Sequence, residues 1–343
     1  MDYCTLGRSG LRVSRLNLGA MTFGAGTGIW QSIAGLDREQ ATRLVALAVE
    51  RGVNLIDTAD AYSQGQSEQR VGEALTALGL DESRMLVATK VRLRTGPGPN
   101  DVGLGRSHIL RAVETSLKRI GRDHVDLLQL HDRDALVPLA ETLRALDDLV
   151  RQGKVRHVGA CNFSAAQLER AHAITAASHG ACLTSNQVHY SLASRDVEHE
   201  IAAVAREHGM ALMIWSPLAG GYLSGKYLAD STGSSAAAGR RTQLDFPPID
   251  RARVDPIVHE LRAIAQTLEA TPAQVALAWL LDRESTNTVI VGARCVQQLE
   301  DNLRAAEVVL TPEQRTRLDR ISQPRDSYPY WMQRLHDRDR LLG

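Results

Sequence analysis

A chain of 343 residues with 43% hydrophobic content can bury a large core, and one domain of ordinary barrel size accommodates it. Forty basic residues against forty acidic ones leave no net charge, which gives no support to a nucleic-acid partner. Four cysteines without a CxxC pair, 11 histidines without an HExxH pair, and no apolar run of the roughly 18 residues a bilayer demands predict no disulfide framework, no metal centre and no membrane span.

The first residues, Met1 to Arg8, carry no apolar signal core, so the expected location is the cytoplasm. Glycines at Gly7 and Gly10 suit a β-hairpin. Strand-like runs follow near Leu16 to Gly19, Asn54 to Asp57, Leu86 to Lys90, Asp126 to Leu130, His157 to Cys161, Thr184 to Gln187, Ala211 to Trp215 and Thr288 to Val291. Segments with helical spacing lie between them, such as Gln40 to Val49 and His108 to Ile120. Capping boxes start at Ser164, Thr271 and Thr311, the last two with proline at the first helical position. Strand and helix alternating eight times predict an α/β fold, a closed (β/α)₈ TIM barrel with an N-terminal β-hairpin. A doubly wound sheet is disfavoured, because no GxGxxG follows the first strand.

Three stretches break the rhythm. Arg92 to Gly105 and Leu218 to Pro248 are long loops expected at the C-terminal face of the barrel, where such folds vary their substrates. Residues 324–343 form a tail after the barrel domain of residues 1–323. Its prolines are expected to forbid regular helix, and Tyr328, Tyr330 and Trp331 make it a candidate cover for the substrate pocket.

Asp57, Lys90 and His131 each stand at or just past the end of an apolar strand, and Tyr62 follows Asp57 by five residues. Barrel interiors are filled with apolar side chains, so these ionisable groups would meet at the mouth. A tyrosine hydroxyl, with an ordinary pKa of about 10, donates a proton more readily beside an ammonium, and a carboxylate can hold that lysine in place. His131 could hydrogen-bond a carbonyl oxygen. A purely structural ion pair of Asp57 and Lys90 capped by Tyr62 is the alternative for each residue taken singly. Four together favour chemistry. Lys90 could also form a Schiff base, which would make the protein an aldolase-type lyase.

The segments Asn54-Leu55-Ile56-Asp57-Thr58-Ala59-Asp60-Ala61-Tyr62, Ala88-Thr89-Lys90, Leu127-Leu128-Gln129-Leu130-His131, Gly159-Ala160-Cys161-Asn162-Phe163-Ser164, Trp215-Ser216-Pro217-Leu218 and Ile290-Val291-Gly292-Ala293-Arg294 resemble the aldo-keto reductases, in order and over nearly the whole chain. The resemblance implies reversible NADP(H)-dependent reduction of an aldehyde or ketone. Tyr62 would be the general acid, Lys90 and Asp57 would tune it, and His131 would orient the carbonyl. It also implies cofactor contacts. Asn162 and Gln187 would hold the carboxamide, Trp215 would stack on the nicotinamide, and Gly19 and Met21 would line the site. Ser216, Leu218, Gly221, Leu223, Gly225 and Lys226 would pass over the pyrophosphate with backbone amides and one ammonium. Gly292, Arg294, Gln298, Asp301 and Asn302 would meet the adenosine end, with Arg294 on the 2′-phosphate. Cys161 replaces the family's usual serine, and Gly292 and Gln298 replace basic residues. Some members of the family serve chiefly as ion-channel auxiliary subunits with slow turnover, a second role the resemblance leaves open. The expected partner is a small carbonyl or alcohol; the sequence assigns no oligomeric state.

Overall fold

Eight mostly buried runs become eight parallel strands, with one face covered by helices and the other closed inside the barrel. A computed structural model describes residues 1–228, 240–325 and 327–341. A hairpin of β1 (Tyr3–Thr5) and β2 (Arg12–Ser14) precedes β3 (Leu16–Gly19), β4 (Leu55–Asp57), β5 (Leu86–Val91), β6 (Val125–Leu130), β7 (Val155–Cys161), β8 (Leu183–His189), β9 (Ala211–Trp215) and β10 (Thr288–Gly292). Strands β3 to β10 pair in chain order, and β10 returns to β3 to close the barrel. All eight expected strands are found where the sequence placed them. Asn54 is the small exception: its side-chain oxygen accepts from the Ser14 amide at 2.8 Å, so it ties the strand start to the hairpin.

Two apolar cores result. The larger lies between strands and helices; the smaller fills the barrel, where Leu55, Ala88, Leu127, Ala211, Met213 and Ile290 pack against Leu6 and Val13 of the hairpin. Leu6 and Val13 are fully buried, so the hairpin plugs the N-terminal end of the barrel. Burial of one such side chain contributes roughly 1.5–3 kcal/mol.

The expected capping boxes form at Ser164, Thr271 and Thr311, and a fourth forms at Asp37, whose carboxylate accepts from the Gln40 amide at 2.9 Å. These caps satisfy amides that a helix start leaves without partners. The tail departs from expectation. A regular helix, Tyr330–Leu341, begins directly after Pro329, because proline breaks a helix only from its interior and suits the residues before the first turn. Tyr330 stacks on His199 with centroids 4.7 Å apart, Arg325 pairs with Asp250 at 3.3 Å, and Tyr328 and Trp331 are exposed. Of the loop from Leu218 to Pro248, residues 229–239 lie outside the described residues.

Candidate active site

Register brings the ionisable strand ends to one level. Gly19 of β3 is opposite Asp57, Asp57 is opposite Ala88 of β5, and Lys90 is opposite Gln129 of β6. Lys90 Nζ donates to Asp57 Oδ2 at 2.5 Å, to the Thr58 carbonyl at 2.9 Å and to Tyr62 Oη at 3.3 Å. Three acceptors thus surround a fully buried ammonium, which uses its three protons. The His131 ring meets Tyr62 edge-on at 5.5 Å, and the Trp30 ring lies tilted against Tyr62 at the same separation. Asp57, Tyr62, Lys90 and His131 therefore converge as the sequence implied.

Their electrostatics follow from burial. Burial alone would discharge Lys90, but the Asp57 carboxylate and the Tyr62 oxygen more than offset it, so the lysine is held charged. Burial pushes Tyr62 up to about 12, against the opposing pull of Lys90. The expected net lowering by the ammonium is therefore outweighed, and Tyr62 keeps its proton throughout the neutral range. Burial, then Lys90 and Arg92, push His131 well below the usual histidine range, leaving a neutral imidazole whose buried Nδ1 has no partner among the described residues.

Of the residues implied for a dinucleotide, Asn162 and Gln187 bond directly to His131 and Asp57, and Trp215 joins them through Asn162. Asn162, held at φ +60°, donates to the His131 carbonyl at 3.1 Å and accepts from Trp215 Nε1 at 2.9 Å. Trp215 ends β9 half-buried, with His189 stacked at 4.6 Å and Phe246 nearly parallel to it at 5.9 Å. Gln187 gives its amide protons to Asp57 at 2.8 Å and Gln129 at 3.3 Å, which leaves its carbonyl oxygen to accept. Gly19 has a packing reason to be glycine: a Cβ would approach Ile290 to 2.9 Å. Met21 is half-buried just beyond it.

After β9 the chain turns through left-handed Ser216, Ala219, Gly220 and Gly221. A Cβ on Gly221 would sit 3.6 Å from Lys226 Nζ, so the ammonium lies over this turn. Its amides are less available than expected, since Gly220 donates to Ser216 Oγ and Gly221 to the Leu218 carbonyl, both at 2.9 Å, and Gly225 donates to the Tyr222 carbonyl at 3.0 Å. Leu223 is buried in the larger core. Gly292, the last residue of β10, and Arg294 just past it are exposed, and Arg294 donates to the Ser32 carbonyl. Gln298 accepts from the Arg294 amide at 2.9 Å. Asp301 and Asn302 turn elsewhere. Asp301 accepts from Thr271 at 3.1 Å and Gln274 at 2.8 Å, where it secures the start of a neighbouring helix, and Asn302 is buried.

The family model described as the Aldo/keto reductase family matches residues 15–323. The chain belongs to that family. It is 36% identical over 321 residues to an uncharacterized oxidoreductase, YrpG, of Bacillus subtilis, covering 91% of this chain and 93% of the relative. A putative voltage-gated potassium channel subunit beta of Schizosaccharomyces pombe is 35% identical, covering 92% of each chain. The versiconal hemiacetal acetate reductase of Aspergillus parasiticus is 32% identical, covering 96% of this chain and 99% of the relative.

Some residues of this aldo/keto reductase site were not singled out from sequence. Gln129 is fully buried and donates to Asp57 Oδ1 at 3.0 Å, so Asp57 receives two amides besides Lys90. A glutamine in the apolar run Leu127-Leu128-Gln129-Leu130 is the signal that could have found it. Cys161 is buried beside it, with Sγ 3.8 Å from Gln129 Oε1, and burial raises its thiol pKa. It is an inert thiol by that measure. Phe246 had no sequence signal. It is brought over Trp215 by buried Arg241, which donates to the Ala219 carbonyl at 2.9 Å and the Pro247 carbonyl at 2.8 Å. Among the described residues no cluster could hold a metal ion, and no helix is long and apolar enough to cross a membrane.

Proposed function

We propose that the protein is a cytoplasmic NADP(H)-dependent reductase of aldehydes or ketones, reversible in direction, with Tyr62 as general acid. The observation that carries this reading is the single ammonium of Lys90 in contact with both Asp57 and Tyr62 at a mouth lined by Trp30, His131 and Trp215. A charged lysine beside a protonated phenol stabilises the phenolate that proton donation leaves behind. Asp57, held by Gln129 and Gln187, keeps that ammonium in place. His131, neutral at physiological pH, can donate a hydrogen bond to the substrate oxygen without adding charge.

The residues present suit a nicotinamide dinucleotide. Trp215 offers a flat aromatic surface and Asn162 and Gln187 offer amides for a carboxamide; Gly19, Met21 and Cys161 border them. Ser216, Leu218, Gly221, Leu223, Gly225 and Lys226 form the turn for a pyrophosphate, with Lys226 its cation. Arg294, with Gly292 and Gln298, suits a 2′-phosphate, while Asp301 and Asn302 would contribute through the helix they sit on rather than by free side chains. When bound, the nicotinamide supplies the hydride. We read residues 1–323 as one barrel domain and 324–343 as a tail that flanks the substrate pocket.

A second reading is that of a nucleotide-binding auxiliary subunit, favoured by the potassium channel subunit beta among the relatives. Oxidation of NADPH and NADH with a panel of aliphatic and aromatic aldehydes and ketones separates the two. Turnover with several carbonyls supports the reductase; tight NADPH binding with no turnover supports the subunit.

A further inference from the structure

The loop that carries Tyr62 has a strained backbone. Ser63, Gln64 and Gly65 are left-handed in succession, with φ of +49°, +57° and +88°. Such a run persists only where its surroundings impose it. The surroundings here lie outside the barrel. Arg119, one residue from the end of the helix Arg106–Ile120, donates from Nη1 to the Asp60 carbonyl at 3.1 Å and to Glu68 Oε2 at 3.2 Å. Its guanidinium lies so close over Gly65 that a Cβ there would come within 2.2 Å of Cζ.

Glu68 links this contact to the strand of the lysine. Fully buried, it accepts from Thr89 Oγ1 at 2.6 Å with its other oxygen, and Thr89 precedes Lys90. The Asp60 amide donates to the Lys90 carbonyl at 3.2 Å. Among the described residues neither oxygen of the buried Asp60 carboxyl has a partner, and burial and Glu68 raise its pKa well above the usual range. Glu68 is the carboxylate that pairs with Arg119, at 3.2 Å. One guanidinium thus ties the start of the Tyr62 loop, its glycine turn and the strand bearing Lys90 into one unit.

We propose that Arg119 is a positioning residue, which acts through Glu68 and Gly65 to fix the Tyr62 hydroxyl against the Lys90 ammonium. This rests on the reading of Tyr62 as proton donor. The test compares Arg119→Ala, Arg119→Lys and Tyr62→Phe, singly and with Arg119→Ala combined with Tyr62→Phe. A displacement near 1 Å at a catalytic group can cost 10²-fold, so Arg119→Ala should lower kcat roughly 10- to 100-fold, with KM and the NADPH Kd kept. Arg119→Lys, which keeps the charge but loses the fork, should recover part of the rate. In the Tyr62→Phe background Arg119→Ala should change the residual rate less than about twofold, because the group it positions is gone.

A kcat for Arg119→Ala close to wild type overturns the proposal. So does an equal loss in the Tyr62→Phe background, which would mark a structural role. Should Arg119→Ala fail to fold, Arg119→Gln, which keeps a polar stem without the charged fork and leaves the left-handed Gly65 untouched, carries the same expectations. Full activity in Tyr62→Phe would overturn the proton-donor reading and this proposal with it. An inactive Tyr62→Phe beside an active Arg119→Ala would overturn the positioning role alone.

Discussion

Lys90 donates to the Tyr62 hydroxyl at 3.3 Å from within the barrel wall, and no water-exposed surface of the lysine remains to compete for it. In the proposed reaction, Tyr62→Phe should lower kcat by roughly 10² to 10⁴, the usual contribution of a positioned acid, with the NADPH Kd nearly unchanged. Lys90→Met should be comparably damaging, since it leaves Asp57 buried without its cation. Steady-state turnover and fluorescence titration of NADPH check both. A Tyr62→Phe enzyme at wild-type rate would refute the assignment.

In the proposed reading cofactor choice would turn on Arg294, whose guanidinium holds the Ser32 carbonyl and would exchange that neutral acceptor for a phosphate. Arg294→Ala should weaken NADPH by about 1.5–3 kcal/mol, the range of a charge-assisted hydrogen bond, and leave NADH almost untouched. Equal losses for the two cofactors, measured by titration, would mean that Arg294 acts elsewhere.

His189 predicts an acid limit on stability. Burial, aided by Arg241 and opposed by Asp196, holds it down to about 4 in the fold, against about 6.5 when unfolded. The unfolded chain therefore binds the proton first. Stability from a neutral His189 is complete above pH 6.5 and declines as the pH falls toward 4. His189→Phe keeps a ring against Trp215 and removes the titration, so its Tm should fall less steeply than that of wild type over this window. Parallel Tm profiles would exclude the effect.

The tail is expected to shape substrate choice. A chain ending at Gln323 keeps the Ser322 and Gln323 carbonyls that Arg253 binds, each at 3.1 Å, so its Tm and NADPH affinity should stay close to wild type. The ranking of carbonyl substrates should change and KM should rise. An unaltered ranking would leave the helix from Tyr330 as outer packing against His199.

The barrel was legible because its signal is repeated. Apolar runs alternate with helical segments eight times, and Asp57, Lys90 and His131 stand out as ionisable groups at or near the ends of such runs. Gln129 is uncharged and gives a weaker signal, although register sets it opposite Lys90. Phe246 depends on Arg241 folding a loop back to the mouth, a long-range event with no local pattern. Asp301 occupies a helix position whose side chain could serve either a ligand or a neighbouring cap, and only the tertiary contact to Thr271 and Gln274 decides between them. The tail helix is hard to read from sequence because proline, which breaks a helix from its interior, can also precede one.

With Leu6 and Val13 sealing the far end of the barrel, the catalytic well opens in one direction only. Beneath Lys90 lie Leu55, Ala88 and Leu127, all fully buried, which form an apolar floor. In the proposed reaction a proton given up by Tyr62 would be replaced through the same opening by which substrate arrives, so a bound alcohol would stand in its route and recharging of the acid would follow product departure.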